Sequence, residues 1–212
     1  MGMELWLRAA AIAVCAYLSG CFNGAVIVSK YILRDDVRNH GSGNAGLTNF
    51  IRNYGAGRSA FVIAIDGGKA VLACLCAGLL LAPYDLYLEG TVLGGLCVML
   101  GHDFPALLGF KGGKGILSGL MIALCVDWRI ALIILAVFAL SYVISGYVSL
   151  SSVLGAAAFA VCFVIFYHHN LTVMIGGIVM GALCIFMHRS NIVRLCKGQE
   201  QKTNLFKRRD NE

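Results

Sequence analysis

The feature that most constrains this chain is a succession of apolar segments of about bilayer length, with little between them. They fall at residues 5–29, 59–81, 90–108, 115–126, 130–144, 148–167 and 171–187. A helix crossing the hydrocarbon core needs about 20 apolar residues at a rise of about 1.5 Å each. The segments consume most of the 212 residues, which leaves no room for a separate soluble domain. A composition of 59% hydrophobic and 13% charged residues is one that a soluble domain of this length does not carry. The expected fold class is all-α, a polytopic integral membrane protein of about seven transmembrane helices in a single domain over 1–212. The segments at 115–126 and 130–144 are short for a crossing. Asp127-Trp128-Arg129 between them reads either as a tight interfacial turn or as a break within one long segment.

The net charge of +6 would suit a nucleic-acid partner, but its placement argues against one. Lys30, Arg34, Arg38, Arg52 and Arg58 follow the first segment. Lys111 and Lys114 follow the third, and Arg189, Arg194, Lys197, Lys202, Lys207, Arg208 and Arg209 follow the last. The intervening loops hold Asp85 and Glu89, then Asp127 and Arg129, then His168-His169-Asn170. Basic loops mark the cytoplasmic side, so seven crossings predict an N-terminus outside and a C-terminus in the cytoplasm. Cys15, Cys21, Cys74, Cys76, Cys97, Cys125, Cys162, Cys184 and Cys196 lie mostly in apolar runs with no Cys-x-x-Cys pair. They read as small hydrophobes and not as disulfide or metal positions. Arg8 and Leu18-Ser19-Gly20-Cys21 resemble a lipoprotein signal, but the apolar run continues past Cys21, as a retained span does.

The polar motifs stand out against this background. Phe110-Lys-Gly-Gly-Lys-Gly115 places Lys111 and Lys114 among Gly112, Gly113 and Gly115, just before a helical run. Glycine backbone at a helix N-terminus can approach an anion, so the expected ligand is a phosphate. A nucleotide P-loop does not fit, because Leu108 and Gly115 stand where that pattern needs Gly and Ser or Thr. A basic turn resting on headgroups is the plainer alternative. In the first basic segment, Ser42, Asn44, Thr48 and Asn49 offer hydrogen bonds and Arg52 a bidentate fork, which also fits an oxyanion. Asp66 and Lys69 share a face of the second span, as a structural ion pair or as part of a cavity. Ser149 lies at an uncharged turn. His188, Asn191 and Arg194 succeed one another at i, i+3, and Glu200 follows.

Taken together, these motifs resemble the bacterial membrane acyl-phosphate:glycerol-3-phosphate acyltransferases. The resemblance runs through 17–24, Ser42-Gly-Asn-Ala-Gly-Leu-Thr-Asn49, Asp66-Gly-Gly-Lys69 and Gly101-His-Asp-Phe-Pro105. It continues through 110–115, Tyr147-Val-Ser-Leu150 and His188-Arg-Ser-Asn-Ile-Val-Arg-Leu195. The chain departs from the family pattern at Cys21-Phe22-Asn23, Ala45, Leu47 and Ala70, which are backbone and packing positions. The resemblance implies a multi-pass protein of the bacterial cytoplasmic membrane with its site facing the cytoplasm. It implies acyl transfer from acyl phosphate to the sn-1 hydroxyl of glycerol 3-phosphate, the first acylation of phospholipid synthesis. The products are lysophosphatidic acid and phosphate, and no cofactor or metal is implied.

The partners are then the two substrates and membrane lipid, with no nucleic acid. Contact with the enzyme that forms acyl phosphate is left open. The expected catalytic residues are His102, His188, Ser42 and Asn191, with the histidines as candidate bases and His102 favoured. Substrate binding falls to Asn44, Arg52, Lys111, Gly112, Gly113, Lys114, Gly115, Ser149 and Arg194, while Asp66, Lys69 and Glu200 line or brace the site. A mixed anhydride carries its own leaving group, so positioning and charge stabilisation suffice without an acyl-enzyme. Two rival classes fit less well. A transporter would show repeated halves, and a headgroup-transfer enzyme would need clustered aspartates for a metal.

Overall fold

The computed structural model describes residues 2–202, and these contain helices but no strand. The basic residues 207–209 lie outside the described residues. The main helices are α1 (Gly2–Gly20), α2 (Gly24–Ile27), α3 (Leu47–Tyr54), α4 (Ser59–Leu81) and α5 (Tyr87–Asp103). They are followed by α6 (Ile116–Val126), α7 (Trp128–Ser145), α8 (Val148–Tyr167), α9 (Leu171–Met187) and α10 (Arg189–Cys196). Helix α5 packs against α1, α4 and α9, while α8 packs against α7 and α9. Helix α6 bridges the two groups through α4, α5 and α7. Val98, Met99, Ile122, Phe163 and Met180 are fully buried at the centre. Leu132, Leu140, Val143 and Ile144 of α7 point outward, as a lipid-facing surface requires.

Five stretches are long and apolar enough to cross a bilayer: Gly2–Ile32, Ser59–Tyr84, Tyr87–Leu108, Trp128–Ser145 and Val148–Tyr167. A sixth arises if Leu171–Met187 and Arg189–Cys196, bent by 55°, count as one. The seventh expected segment is α6. Its 11 residues reach only about 16 Å, short of the hydrocarbon thickness. Asp127 settles the ambiguous junction as a one-residue turn. It ends α6 and caps α7, its Oδ1 accepting from the Arg129 N–H at 2.9 Å.

The first segment also differs from the expected continuous run over 5–29, because it breaks after Gly20 and restarts at Gly24. Broken backbone at membrane depth needs internal partners. Here the α4 ion pair supplies them. Lys69 Nζ donates to the carbonyls of Gly20 at 3.0 Å and Phe22 at 2.7 Å, and to Asp66 Oδ1 at 2.8 Å. The Gly24 N–H donates to Asp66 Oδ1 at 2.9 Å, and Asn23 caps α2 while donating to the Ala45 carbonyl at 2.8 Å. Close helix approach holds the break in place. A Cβ at Gly20 would lie 2.3 Å from the Val98 carbonyl oxygen, and one at Gly101 2.1 Å from that of Tyr17.

These contacts sort the loops onto two ends of the bundle. One end gathers the segment around α3, the glycine loop, the Gly146–Tyr147 turn and the chain after α9. The other holds Arg8 against the Leu80 carbonyl and the Tyr84 ring. It also holds Asn170 on Glu89, and Arg129 over Phe166.

Candidate active site

A cavity of about 300 Å³ opens at the first of these ends. Its polar wall comes from six separated segments: Ser42, Asn44, Thr48, Asn49 and Arg52; Asp66; His102; Lys114 and Gly115; Ser149 and Ser152; and His188, Asn191 and Glu200. Its other wall is apolar, built from Ile116, Leu117 and Leu120 of α6, Ile134, Leu135 and Phe138 of α7, and Val148. A single chamber therefore joins a cationic end to a hydrocarbon-like surface.

Lys114 is the central cation. Its Nζ donates to Asn191 Oδ1, and the Asn191 amide donates to Glu200 Oε1 at 2.8 Å. Arg194 Nε donates to Glu200 Oε2 at 2.6 Å, and Arg52 Nη2 donates to the Gln201 carbonyl at 3.4 Å. Burial, and next the positive charge of Arg194, bring the Lys114 ammonium down to about 8. Burial pushes the Glu200 carboxyl up, but the bonds from Asn191 and Arg194 win and hold it below the usual carboxylate range. Lys114, Arg52 and Arg194 outnumber Glu200, and the other lining carboxylate, Asp66, is paired with Lys69, so this end attracts anions.

The glycine loop is used differently from the sequence expectation. Lys111 is exposed, and neither it nor Gly112 nor Gly113 lines the cavity. The Gly113 N–H donates to the His102 carbonyl at 3.0 Å and so is not offered to an anion. The Gly112 carbonyl accepts from Asn44 Nδ2 at 3.2 Å, tying this loop to the first basic segment. A Cβ on Gly113 would fall 2.0 Å from His102 Nε2, so that glycine makes room for the imidazole. Gly115, at φ +71°, starts α6 with the Asp103 carboxylate 3.2 Å from where its Cβ would be. The loop's contribution to the cavity is therefore Lys114 and Gly115. Arg194 also stands outside the lining, engaged with Glu200.

The two histidines are both buried and both line the cavity. Lys69 Nζ lies 3.0 Å from His102 Nδ1, and an ammonium can only donate. Its three N–H bonds also serve the Gly20 and Phe22 carbonyls and Asp66, so His102 Nδ1 takes at most a share of one, with Asp66 Oδ1 a further 3.6 Å neighbour. His188 is arranged differently. Its Nδ1 lies 2.8 Å from the Cys184 carbonyl, which can only accept, so Nδ1 carries the proton and Nε2 keeps its lone pair.

Sequence reasoning read Asn49 only as one of several hydrogen-bonding groups for an oxyanion, and assigned no role to Ser152 or to the apolar wall. Asn49 sat in a noted motif. The wall residues look like any lipid-facing span residues, so nothing in the sequence marked them.

A family model described as glycerol-3-phosphate acyltransferase matches residues 10–198. The glycerol-3-phosphate acyltransferase of Thermoanaerobacter pseudethanolicus is 40% identical over 190 residues, covering 90% of this chain and 93% of its own length. That of Clostridioides difficile is 40% identical over 193 residues, with the same shares covered. The crystal structure of the glycerol 3-phosphate form of PlsY (YgiH), an integral membrane glycerol 3-phosphate acyltransferase, superimposes with a TM-score of 0.83. It is 31% identical, and the match covers 94% of this chain and 99% of that one. Its lysophosphatidic acid form gives a TM-score of 0.78 at 30% identity, covering 93% of this chain and 96% of that one. With matches of this length in sequence and in structure, the chain belongs to the glycerol-3-phosphate acyltransferase family.

Proposed function

We propose that the protein transfers a fatty acyl group from acyl phosphate to the sn-1 hydroxyl of glycerol 3-phosphate, releasing lysophosphatidic acid and inorganic phosphate. The observation that carries this reading is the two-sided cavity. One substrate is a small dianion and the other couples a phosphate to a long chain, and a cationic pocket opening onto Leu117, Leu120, Leu135 and Phe138 suits both. Related structures in glycerol 3-phosphate and lysophosphatidic acid forms support the acceptor and the product. Lys114 and Arg52 hold the glycerol 3-phosphate phosphate, while Ser42, Ser149 and Asn191 offer hydrogen bonds to the acyl phosphate and the developing oxyanion. The sn-1 oxygen attacks the acyl carbonyl, the carbonyl carbon's bond to the bridging phosphate oxygen breaks, and phosphate leaves. The hydroxyl proton passes to Nε2 of His188, where the Nδ1–H bond to the Cys184 carbonyl leaves a lone pair. His102 serves as a hydrogen-bond donor, and Ser42 stays unacylated.

In this reading the site end faces the cytoplasm of a bacterium and the N-terminus lies outside, with α6 as a short seventh crossing. The alternation of basic loops supports that orientation. A cysteine placed at Asp85 in a cysteine-free variant should react with an impermeant reagent in intact cells, and one at Lys207 should not. The reaction itself is tested with purified protein, acyl phosphate and glycerol 3-phosphate, without CoA, carrier protein or added metal. The expected product is 1-acyl lysophosphatidic acid. A requirement for CoA or carrier protein, or acylation at sn-2, would overturn the proposal.

A further inference from the structure

Five hydrogen bonds converge on the side chain of Asn49, at the start of α3. Its Nδ2 lies 3.0 Å from each of three carbonyl oxygens, those of Val37, His40 and Asn44. Its Oδ1 accepts from the Ser42 N–H at 3.0 Å and from Asn53 Nδ2 at 3.1 Å. Acceptors surround one end of the amide and donors the other, which leaves only one orientation of the group. The side chain is 2% exposed. Gly41, at φ +59°, passes so close that a Cβ there would lie 2.4 Å from Oδ1. The loop from 37 to 44 is thus wrapped around a single carboxamide. Its own backbone bonds are few: Asn39 to Asp36, His40 to Val37 and Gly43 to His40.

Such a loop loses conformational entropy at every residue on being fixed, and the Asn49 amide supplies the bonds that offset this. The consequence is positional. Ser42 is bound through its own N–H and Asn44 through its own carbonyl, so the amide sets where both side chains enter the cavity. Asn44 then reaches across to the Gly112 carbonyl, so the setting extends to the loop that carries Lys114.

We propose that Asn49 is a positioning residue for acyl transfer, acting through Ser42 and Asn44 and not on substrate. This rests on the acyl-transfer reading above. Asn49→Asp tests it with a side chain of the same shape. Ionised, the new carboxylate faces three carbonyl oxygens, and the loop must move. Protonated, it regains one donor, so the damage should ease as pH falls. At neutral pH we expect kcat to fall by about 10²-fold, the usual cost of an angstrom-scale misplacement. KM for glycerol 3-phosphate should change less than kcat, because Lys114 is held by Asn191 and is reached from this loop only through the one Asn44–Gly112 bond. The variant-to-wild-type ratio of kcat should rise on acidification, and taking the ratio cancels titrations common to both proteins. A wild-type kcat in folded Asn49→Asp, or a deficit that is the same at every pH, overturns the proposal. If Asn49→Asp does not fold, Gly41→Ala presses a Cβ onto the same amide from outside. A matching kcat loss there supports the proposal, and an unchanged kcat overturns it. Wild-type turnover in the same assay separates failure of this inference from failure of the acyl-transfer reading.

Discussion

The ends of α5 and α9 carry the same residue type in opposite settings. His102 is gripped from α4, where Lys69 Nζ lies 3.0 Å from its Nδ1 and Asp66 Oδ1 3.6 Å away. His188 is gripped only by its own helix, its Nδ1–H donating to the Cys184 carbonyl one turn back. In the first arrangement, Nδ1 is hemmed in by Lys69 and Asp66; in the second, the Nδ1–H bond leaves Nε2 with its lone pair on a residue that lines the cavity. A histidine's chemistry here is therefore decided by which neighbours hold its ring, and position at a span end says nothing about it. The sequence reading favoured His102 because it lies in the same motif as the glycine loop, and the proposal above places the base at His188 instead.

The contrast breaks most sharply at His188. His188→Gln should lower kcat by about 10²–10⁴-fold, the range for a general base, measured at saturating glycerol 3-phosphate. If kcat barely moves, the leaving phosphate takes the proton and the two histidines differ only in packing. Next in size is Lys69→Met, which strands Asp66 and frees His102 Nδ1. Breaking one partner of a buried pair costs about 3–5 kcal/mol, read as a lowered unfolding midpoint in detergent. Stability close to wild type would mean that the break at Gly20–Gly24 finds its partners elsewhere.

A pH effect sharpens the comparison on the His188 side, where Lys114 meets Asn191. The Lys114 ammonium is charged below about 8 and loses its charge above it. The cation is thus present on the acid side, and kcat/KM for glycerol 3-phosphate should fall about tenfold per pH unit above that value. Lys114→Arg should push this limb upward. A limb that stays put belongs to another group. The smallest effect is expected from His102→Gln, a loss of a few-fold in kcat, as for one hydrogen-bond donor of ordinary strength. A loss as deep as that of His188→Gln would erase the distinction between the two rings.

Much of the architecture was legible because hydropathy is additive along a segment. The apolar runs at 59–81, 148–167 and 171–187 match α4, α8 and α9 residue for residue. The polar motifs were legible too, since charges and amides between apolar spans have few other uses. The break at Cys21–Asn23 was not, because the residues that satisfy it, Asp66 and Lys69, lie more than 40 positions away. The placement of Lys111 and Gly113 was not legible for a related reason. A glycine loop beside lysines has many possible shapes, and only contact with His102 selects the one in which the Gly113 N–H turns away from the cavity.

By itself, then, the sequence determined a helical membrane protein, the family it belongs to and most of the polar residues that line the cavity. The helical membrane character and the polar residues follow from side-chain type and short-range spacing, and the family from the resemblance of its motifs. The tertiary structure decided which neighbours hold each histidine ring, which loop groups face the cavity and which apolar residues form its wall. It also decided that one amide, Asn49, holds the first loop in shape. These depend on partners far apart in the chain, such as Lys69 with His102, Asn44 with Gly112 and Lys114 with Asn191. A hydrogen bond is directional and short, so its partner is known only once the helices have packed.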